Sequence, residues 1–265
     1  MFIRPPDGQA AAVQIVEPRT GTSDLWRVDL SANVPPAPMT ASRGYVGAPV
    51  YSPDGSRMAY TYQPPNQLDD VYVQDSGGGD TPIITTPTDW EHPAAWSHDR
   101  ANPSLLVARM VNNEAPVELD VWSFTSKTLT LFAKPAGDEA AFSPDDRYVA
   151  FSSQESGRFE TYVTTFPERQ QTWPLTTDGG RVLSWSAKGD EILVATLAGH
   201  IAAYPVSTEG GRFVAGQPQV LVRDVGLTAR YSRATPDHLR ILIRVSPEAA
   251  KDRGEIRLLF GWDRR

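Results

Sequence analysis

An all-β fold of six four-stranded antiparallel blades, a six-bladed β-propeller, is the architecture this sequence predicts. Three observations predict it. A tight-turn motif recurs along the chain, as YSPDG at 51–55, WSHDR at 96–100, FSPDD at 142–146 and WSAKG at 185–189, with weaker copies RPPDG at 4–8 and ATPDH at 234–238. Aligned on Asp7, Asp54, Asp99, Asp145, Lys188 and Asp237, the copies stand 43 to 49 residues apart. Each copy is followed by an apolar run, a variable loop, and a second run opened by an acidic or polar residue. Four short strands in about 45 residues is the layout of a propeller blade. A two-sheet sandwich would give no reason for one repeated four-strand unit.

The elements follow in order. Proline presets the first central position of the turn, aspartate bonds back to a nearby amide, and glycine takes positive φ. The aromatic before the turn serine (Tyr51, Trp96, Phe142, Trp185) ends an inner strand and packs between blades. The second strands read AAAVQIV, RMAYTY, SLLVARM, RYVAFSS, EILVATL and RILIRV. Asp24, Asp70, Asp120, Glu160, His200 and Glu255 open the third strands, whose aromatics Trp26, Tyr72, Trp122, Tyr162 and Tyr204 are expected in the outer core. PIITT, TLTLFA, WPLTT and PQVLV supply fourth strands. The blades are placed at about 1–42, 43–87, 88–134, 135–177, 178–222 and 223–265, as one propeller domain over residues 1–265. The last run ends at FGWDRR, after a third strand. Either that blade has three strands or the sequence is a piece of something longer, and an exposed strand edge there would be an aggregation or partner site.

The Ser-Pro-Asp-Gly turn followed by an apolar strand resembles the TolB-type, WD40-like (PD40) propeller repeat over essentially the whole chain. Residues 135–262, with FSPDDRYVAFSSQESGRFETYVTTFPE, WSAKGDEILVATLAGHIAAYPVST and FVAGQPQVLV, resemble the last propeller blades attached to bacterial serine/threonine protein kinases. The kinase motifs themselves are absent: no Gly-rich loop with its lysine, no His-Arg-Asp loop and no Asp-Phe-Gly. Asp99-Arg100, Asp145-Asp146 and Lys188-Gly189 depart from the simple turn. The resemblance implies a sensing, scaffolding or protein-docking module and names no partner.

Composition narrows the rest. The formal net charge is −7, and no basic block occurs to track phosphates, so nucleic acid is not an expected partner. There is no cysteine, which excludes disulfides and thiolate chemistry. The start, MFIRPPDGQAAAVQ, lacks the apolar core of a signal peptide, and no apolar run reaches the length of a membrane span. The expectation is therefore a cytoplasmic location for the chain as it stands, without membrane insertion, although relatives of the resembled family are often extracytoplasmic.

Four histidines occur, His92, His98, His200 and His238, with no close metal-ligand spacing. His98 and His200 occupy repeat positions and read as structural. No Gly-x-Ser-x-Gly elbow is present. GGGD at 77–80 and TEGGRF at 208–213 read as hairpin turns, and Asp7, Asp69-Asp70 and Asp145-Asp146 offer too few converging oxygens for calcium. No metal and no cofactor are expected.

Two surfaces remain. Loops from each outer strand to the next inner strand gather at one end of a propeller, around the channel mouth. They carry Arg43 and Tyr45, then Trp90, Glu91 and His92, then Asp138 and Glu139, then Arg181 and Arg230. Aromatic and arginine side chains are common interface anchors. Glu91 with His92 is the one place for acid–base work. The second surface is the pair of long loops between second and third strands, YQPPNQLDD at 62–70 and MVNNEAPVELD at 110–120, as a polar peptide-docking edge. The functional expectation is a non-catalytic protein-interaction, sensor or scaffold module with a protein or peptide partner. The alternative is a propeller binding a small molecule or glycan, extending to a lyase or hydrolase. A purely structural spacer is the third class.

Overall fold

In the computed structural model, the described residues are 2–3, 10–30, 32, 34–75, 78–224, 233–234, 240–244 and 256–260. The chain divides into two compact units, Met1–Asp138 and Glu139–Arg265. Each is built from antiparallel meanders.

The first unit holds three blades. Blade one is β1 (Phe2–Ile3), β2 (Ala10–Val16), β3 (Ser23–Asp29) and β4 (Ala37–Pro38). Blade two is β5 (Tyr45–Tyr51), β6 (Arg57–Gln63), β7 (Asp70–Asp75) and β8 (Asp80–Ile84). Blade three is β9 (Trp90–Trp96), β10 (Ser104–Met110), β11 (Glu118–Ser123) and β12 (Thr128–Ala133). In the second unit, blade four is β13 (Ala140–Phe142), β14 (Tyr148–Ser153), β15 (Glu160–Thr165) and β16 (Thr172–Pro174). Blade five is β17 (Gly180–Trp185), β18 (Glu191–Thr196) and β19 (Ile201–Ser207), with its outer strand split between β20 (Val214–Ala215) and β21 (Gln219–Val222). The remaining strands, β22 (Arg233–Ala234), β23 (Arg240–Arg244) and β24 (Ile256–Phe260), form a three-stranded sheet.

The expected six four-stranded blades are thus corrected to five. β24 pairs with β23, and no outer strand lies beyond it among the described residues. The turns RPPDG and ATPDH, which suggested the first and last units, fall largely outside the described residues, as do Asp7, Arg230 and His238.

The turns explain why the repeat folds as it does. Ser52 Oγ accepts the Arg57 N–H at 3.0 Å and donates to Asp54 Oδ1 at 2.7 Å. Ser143 accepts the Tyr148 N–H at 3.0 Å and donates to Asp145 at 2.7 Å. Ser186 accepts the Glu191 N–H at 3.2 Å and donates to Asp190 at 2.7 Å. One hydroxyl thus satisfies the first donor of the second strand and fixes the turn carboxylate. The last turn residue is left-handed: Gly55 at φ 71°, Gly189 at φ 77°, and Asp146 at φ 54°, where the sequence departs from glycine.

Apolar residues fill the space between blades. Ala12, Leu25, Val46, Met58 and Tyr60 are buried together between blades one and two. Val71, Val73, Ile84, Trp96, Leu105 and Val107 do the same between blades two and three. In the second unit, Tyr148, Val163, Trp185, Ile192, Val194 and Phe213 share one cluster. Trp96 and Trp185 are thus buried where the inner strands end, as the repeat implies.

Candidate functional site

In blades one, two and four the acid that opens the third strand clasps the connection leaving its own blade. Asp24 Oδ1 accepts the Thr40 hydroxyl and the Ser42 N–H, both at 2.8 Å. Glu160 Oε2 accepts the Thr176 hydroxyl at 2.5 Å and the Gly179 N–H at 2.9 Å. Asp70 accepts the Thr86 N–H. In blade five the imidazole of His200 takes the same role, its Nδ1 accepting the Asp224 N–H at 3.1 Å. The structural reading of His200 therefore has a bond behind it.

Blades two and three of the first unit add acids beyond this pattern. Asp69, Asp70, Asp89, Glu91, Glu118 and Asp120 are all buried. Arg109 stands where Tyr62 and Ser153 stand in other blades, as its pairing opposite Glu118 matches Tyr62 opposite Asp70 and Ser153 opposite Glu160. Its Nε donates to Asp120 Oδ2 at 2.6 Å, its Nη1 to Asp89 Oδ2 at 3.0 Å and its Nη2 to Glu118 Oε2 at 3.4 Å. Lys134 reaches Glu118 Oε1 at 2.6 Å. Burial works against the Arg109 charge, yet Asp120 and Asp89 outweigh it and hold the guanidinium above its ordinary range. Burial raises Asp120, with Arg109 opposing. Burial also pushes Asp89 upward, but the Asn112 N–H, the Thr88 hydroxyl and Arg109 together leave it lowered.

Glu91 is fully buried, with Oε1 bonded to the Thr86 hydroxyl and Oε2 without a hydrogen-bond partner. Burial pushes its carboxyl up to about 7; Asp70 and Asp89 add to the rise, and the Thr86 hydroxyl and Arg109 oppose it. Asp70 is also raised by burial, the Thr86 N–H pulling it down and Asp69 pushing it up.

The expected residues separate into groups. Trp90, Glu91 and His92 are brought together, but on strand β9 rather than in the preceding loop. The Trp90 and His92 rings lie 3.8 Å apart between centroids, and His92 Nε2 meets Asp69 Oδ2 at 2.7 Å. Glu139 and Arg181 form an ion pair, Nη1 lying 2.7 and 2.8 Å from the two carboxylate oxygens, and the Arg181 guanidinium sits 3.3 Å over the Phe159 ring. That pairing commits Arg181 to its own unit. Arg43 and Asp138 are exposed, and Tyr45 starts β5 with its ring against Gly47. Asp89 and Arg109 were not singled out from sequence, and Asp69 was weighed there only as a calcium ligand. An arginine inside the otherwise apolar run SLLVARM was the available signal.

Beside the Asp69–His92 bond lies an open cleft of about 270 Å³. The second-to-third-strand loop supplies Asn66, Gln67 and Leu68, and the connection to blade three supplies Thr85, Thr86 and Pro87, with Asp70 also lining it. The Glu91 N–H donates to the Asp69 carbonyl at 3.1 Å, so the loop is tied to β9 by backbone as well as by His92. Among the described residues, no group of three or more histidine, aspartate or glutamate side chains is arranged to hold a metal ion. No described helix is long and apolar enough to cross a membrane.

No protein-family model matches the chain, and no curated protein matches it in sequence. Solved structures do. TolB from Acinetobacter baumannii is similar with a TM-score of 0.69 and 18% identity over 98% of this chain and 60% of that one. The chain thus spans about 60% of that protein's length. The structure of a putative TolB from Agrobacterium tumefaciens gives 0.66 and 16%, over 89% of this chain and 86% of that one. A chain of a nidogen/laminin complex gives 0.58 and 10%, over 77% and 74%. At these identities the likeness shows the fold: the chain is a β-propeller of the kind seen in the two TolB structures.

Proposed function

We propose that this propeller is a protein-interaction module that docks a peptide segment of its partner at the loop end of blades two and three. The observation that carries the reading is the open cleft of about 270 Å³ between the loop at 64–70 and the connection at 85–87. Its size falls just below the roughly 300 Å³ at which small-molecule pockets begin, and far above a single water, which suits one side chain or a short peptide. Half-buried Trp90, its ring tilted against that of His92, stands three residues beyond Pro87 and gives the surface an aromatic anchor of the kind interfaces favour. The fold likeness to a chain taken from a nidogen/laminin complex supports the class of role, as does the resemblance of residues 135–262 to kinase-attached blades.

Selection of a random-peptide phage library on the immobilised chain tests this. Enriched peptides are expected to lose at least ten-fold in affinity for Thr85→Trp, which fills the cleft from an exposed position. Enrichment of peptides indifferent to that variant, or none at all, would contradict the reading.

A further inference from the structure

We propose that the group received by this cleft is cationic: the guanidinium or ammonium of an arginine or lysine side chain of the partner. The proposal deepens the docking reading above and rests on it. It starts from the charge left over once every pair in the neighbourhood is made. Asp69 is bonded to His92 at 2.7 Å. Asp89 is taken by Arg109 and by the Asn112 N–H. Arg109 is divided among Asp89, Asp120 and Glu118, and Lys134 is held by Glu118. Among the described residues, no ion pair reaches Asp70 on the cleft wall.

A second, independent observation stands behind that wall. Glu91 is completely buried and Oε2 has no partner, while its other oxygen is bonded to Thr86, which lines the cleft. A buried carboxylate with an open acceptor is costly unless a positive charge or proton lies near. The cleft therefore adjoins two carboxyl groups, Asp70 on its wall and Glu91 behind Thr86, to which no described cation is ion-paired.

The lining matches one cation class. Amide oxygens of Asn66 and Gln67, hydroxyls of Thr85 and Thr86, and the Asp70 carboxylate are acceptors suited to a multi-donor head group. Leu68 and Pro87 are apolar and suit a methylene stem, which long basic side chains lay along such surface. An anionic partner group would meet Asp70 with no cation to offset it.

The test is a titration of the ¹⁵N-labelled full chain with N-acetyl-arginine amide, N-acetyl-lysine amide and the neutral isostere N-acetyl-citrulline amide. Arginine and lysine are expected to shift the amides of residues 66–70 and 85–86. Citrulline is expected to bind at least ten-fold more weakly, and Asp70→Asn to lower arginine binding to the citrulline level. Equal binding of arginine and citrulline in the cleft would overturn the cationic inference while leaving peptide docking intact. Arginine shifts confined to other residues would overturn it too. Phage-derived peptides insensitive to Thr85→Trp would remove the docking reading itself, a result distinct from either.

Discussion

Glu91 in the first unit and Glu160 in the second are both buried glutamates at the loop ends of blades, and their surroundings differ oxygen by oxygen. Glu160 receives Arg158 Nε at 2.7 Å on one oxygen, and the Thr176 hydroxyl and Gly179 N–H on the other. Glu91 receives one hydroxyl and leaves Oε2 open. Burial is near complete in both. What differs is whether the local chain supplies donors. Glu160 precedes a connection with a threonine and a glycine amide in reach, and there the carboxylate is a clasp. Glu91 sits on an inner strand, between blades crowded with other acids, and there it is a carboxyl group without a compensating partner on Oε2.

The comparison is broken most sharply by removing the clasp. Glu160→Ala frees the Thr176 hydroxyl, the Gly179 N–H and Arg158 together, and is expected to cost about 3–5 kcal/mol in denaturant unfolding. A cost below about 1 kcal/mol would mean that the connection holds without its carboxylate.

Glu91→Gln should act in the opposite direction, and only at high pH. A carboxyl whose folded pKa lies above its unfolded value keeps its proton in the native state where the unfolded chain has lost it. Native stability therefore falls as pH rises from the ordinary glutamate value toward about 7, and levels off above that. The full difference is roughly 3 kcal/mol at most. Glu91→Gln is expected to match wild type near pH 4 and to exceed it at pH 8, read from urea midpoints. Equal midpoints at both pH values would remove the contrast with Glu160.

The two inner-strand tryptophans sharpen the same point with a smaller effect. Trp96 donates its indole N–H to the Val50 carbonyl at 2.8 Å, stacks on Phe124 and carries the Arg57 guanidinium on its face. Trp185 is buried with its N–H unpartnered. Trp96→Phe is expected to cost about 1–2 kcal/mol, part of it for the acceptor left behind, and Trp185→Phe less than about 1 kcal/mol. Thermal midpoints falling equally in both would show that packing, not the indole donor, decides.

Much of the fold was legible because the repeat is local chemistry. Serine, a turn acid and a left-handed residue satisfy one another within five residues, so spacing alone located the hairpins. The count of blades was less legible, since it depends on whether an outer strand pairs beyond β24, and pairing is not local. His200, read as structural from its repeat position, accepts the Asp224 N–H in the place of the clasping acid. Trp90, Glu91 and His92 were named, but their placement on β9 and the Asp69–His92 bond join residues 23 positions apart across blades. Arg109 went unmarked because its carboxylate partners come from β11 and from the connection that precedes β9, both distant in sequence. The loop at 62–70 was picked out by its proline and asparagine content, yet its cleft needs Thr85 and Thr86 from another connection.

The smallest expected effect lies in the turns. Asp146 adopts φ 54° where Gly55 and Gly189 stand in sister turns. Asp146→Gly is expected to raise stability by about 0.5–1 kcal/mol through relief of the left-handed cost, offset in part by unfolded-state entropy. A loss of stability would show that the Asp146 side chain makes a contribution exceeding that strain.

The most direct measurement is the titration of the Glu91 side-chain carboxyl itself, followed by carbon-detected NMR in the full chain with Glu91→Gln as the assignment control. A midpoint near 7 is the result expected of a buried carboxylate that the chain leaves uncompensated. A midpoint in the ordinary glutamate range would mean that a donor or cation already satisfies Glu91, and the contrast with Glu160 would fall.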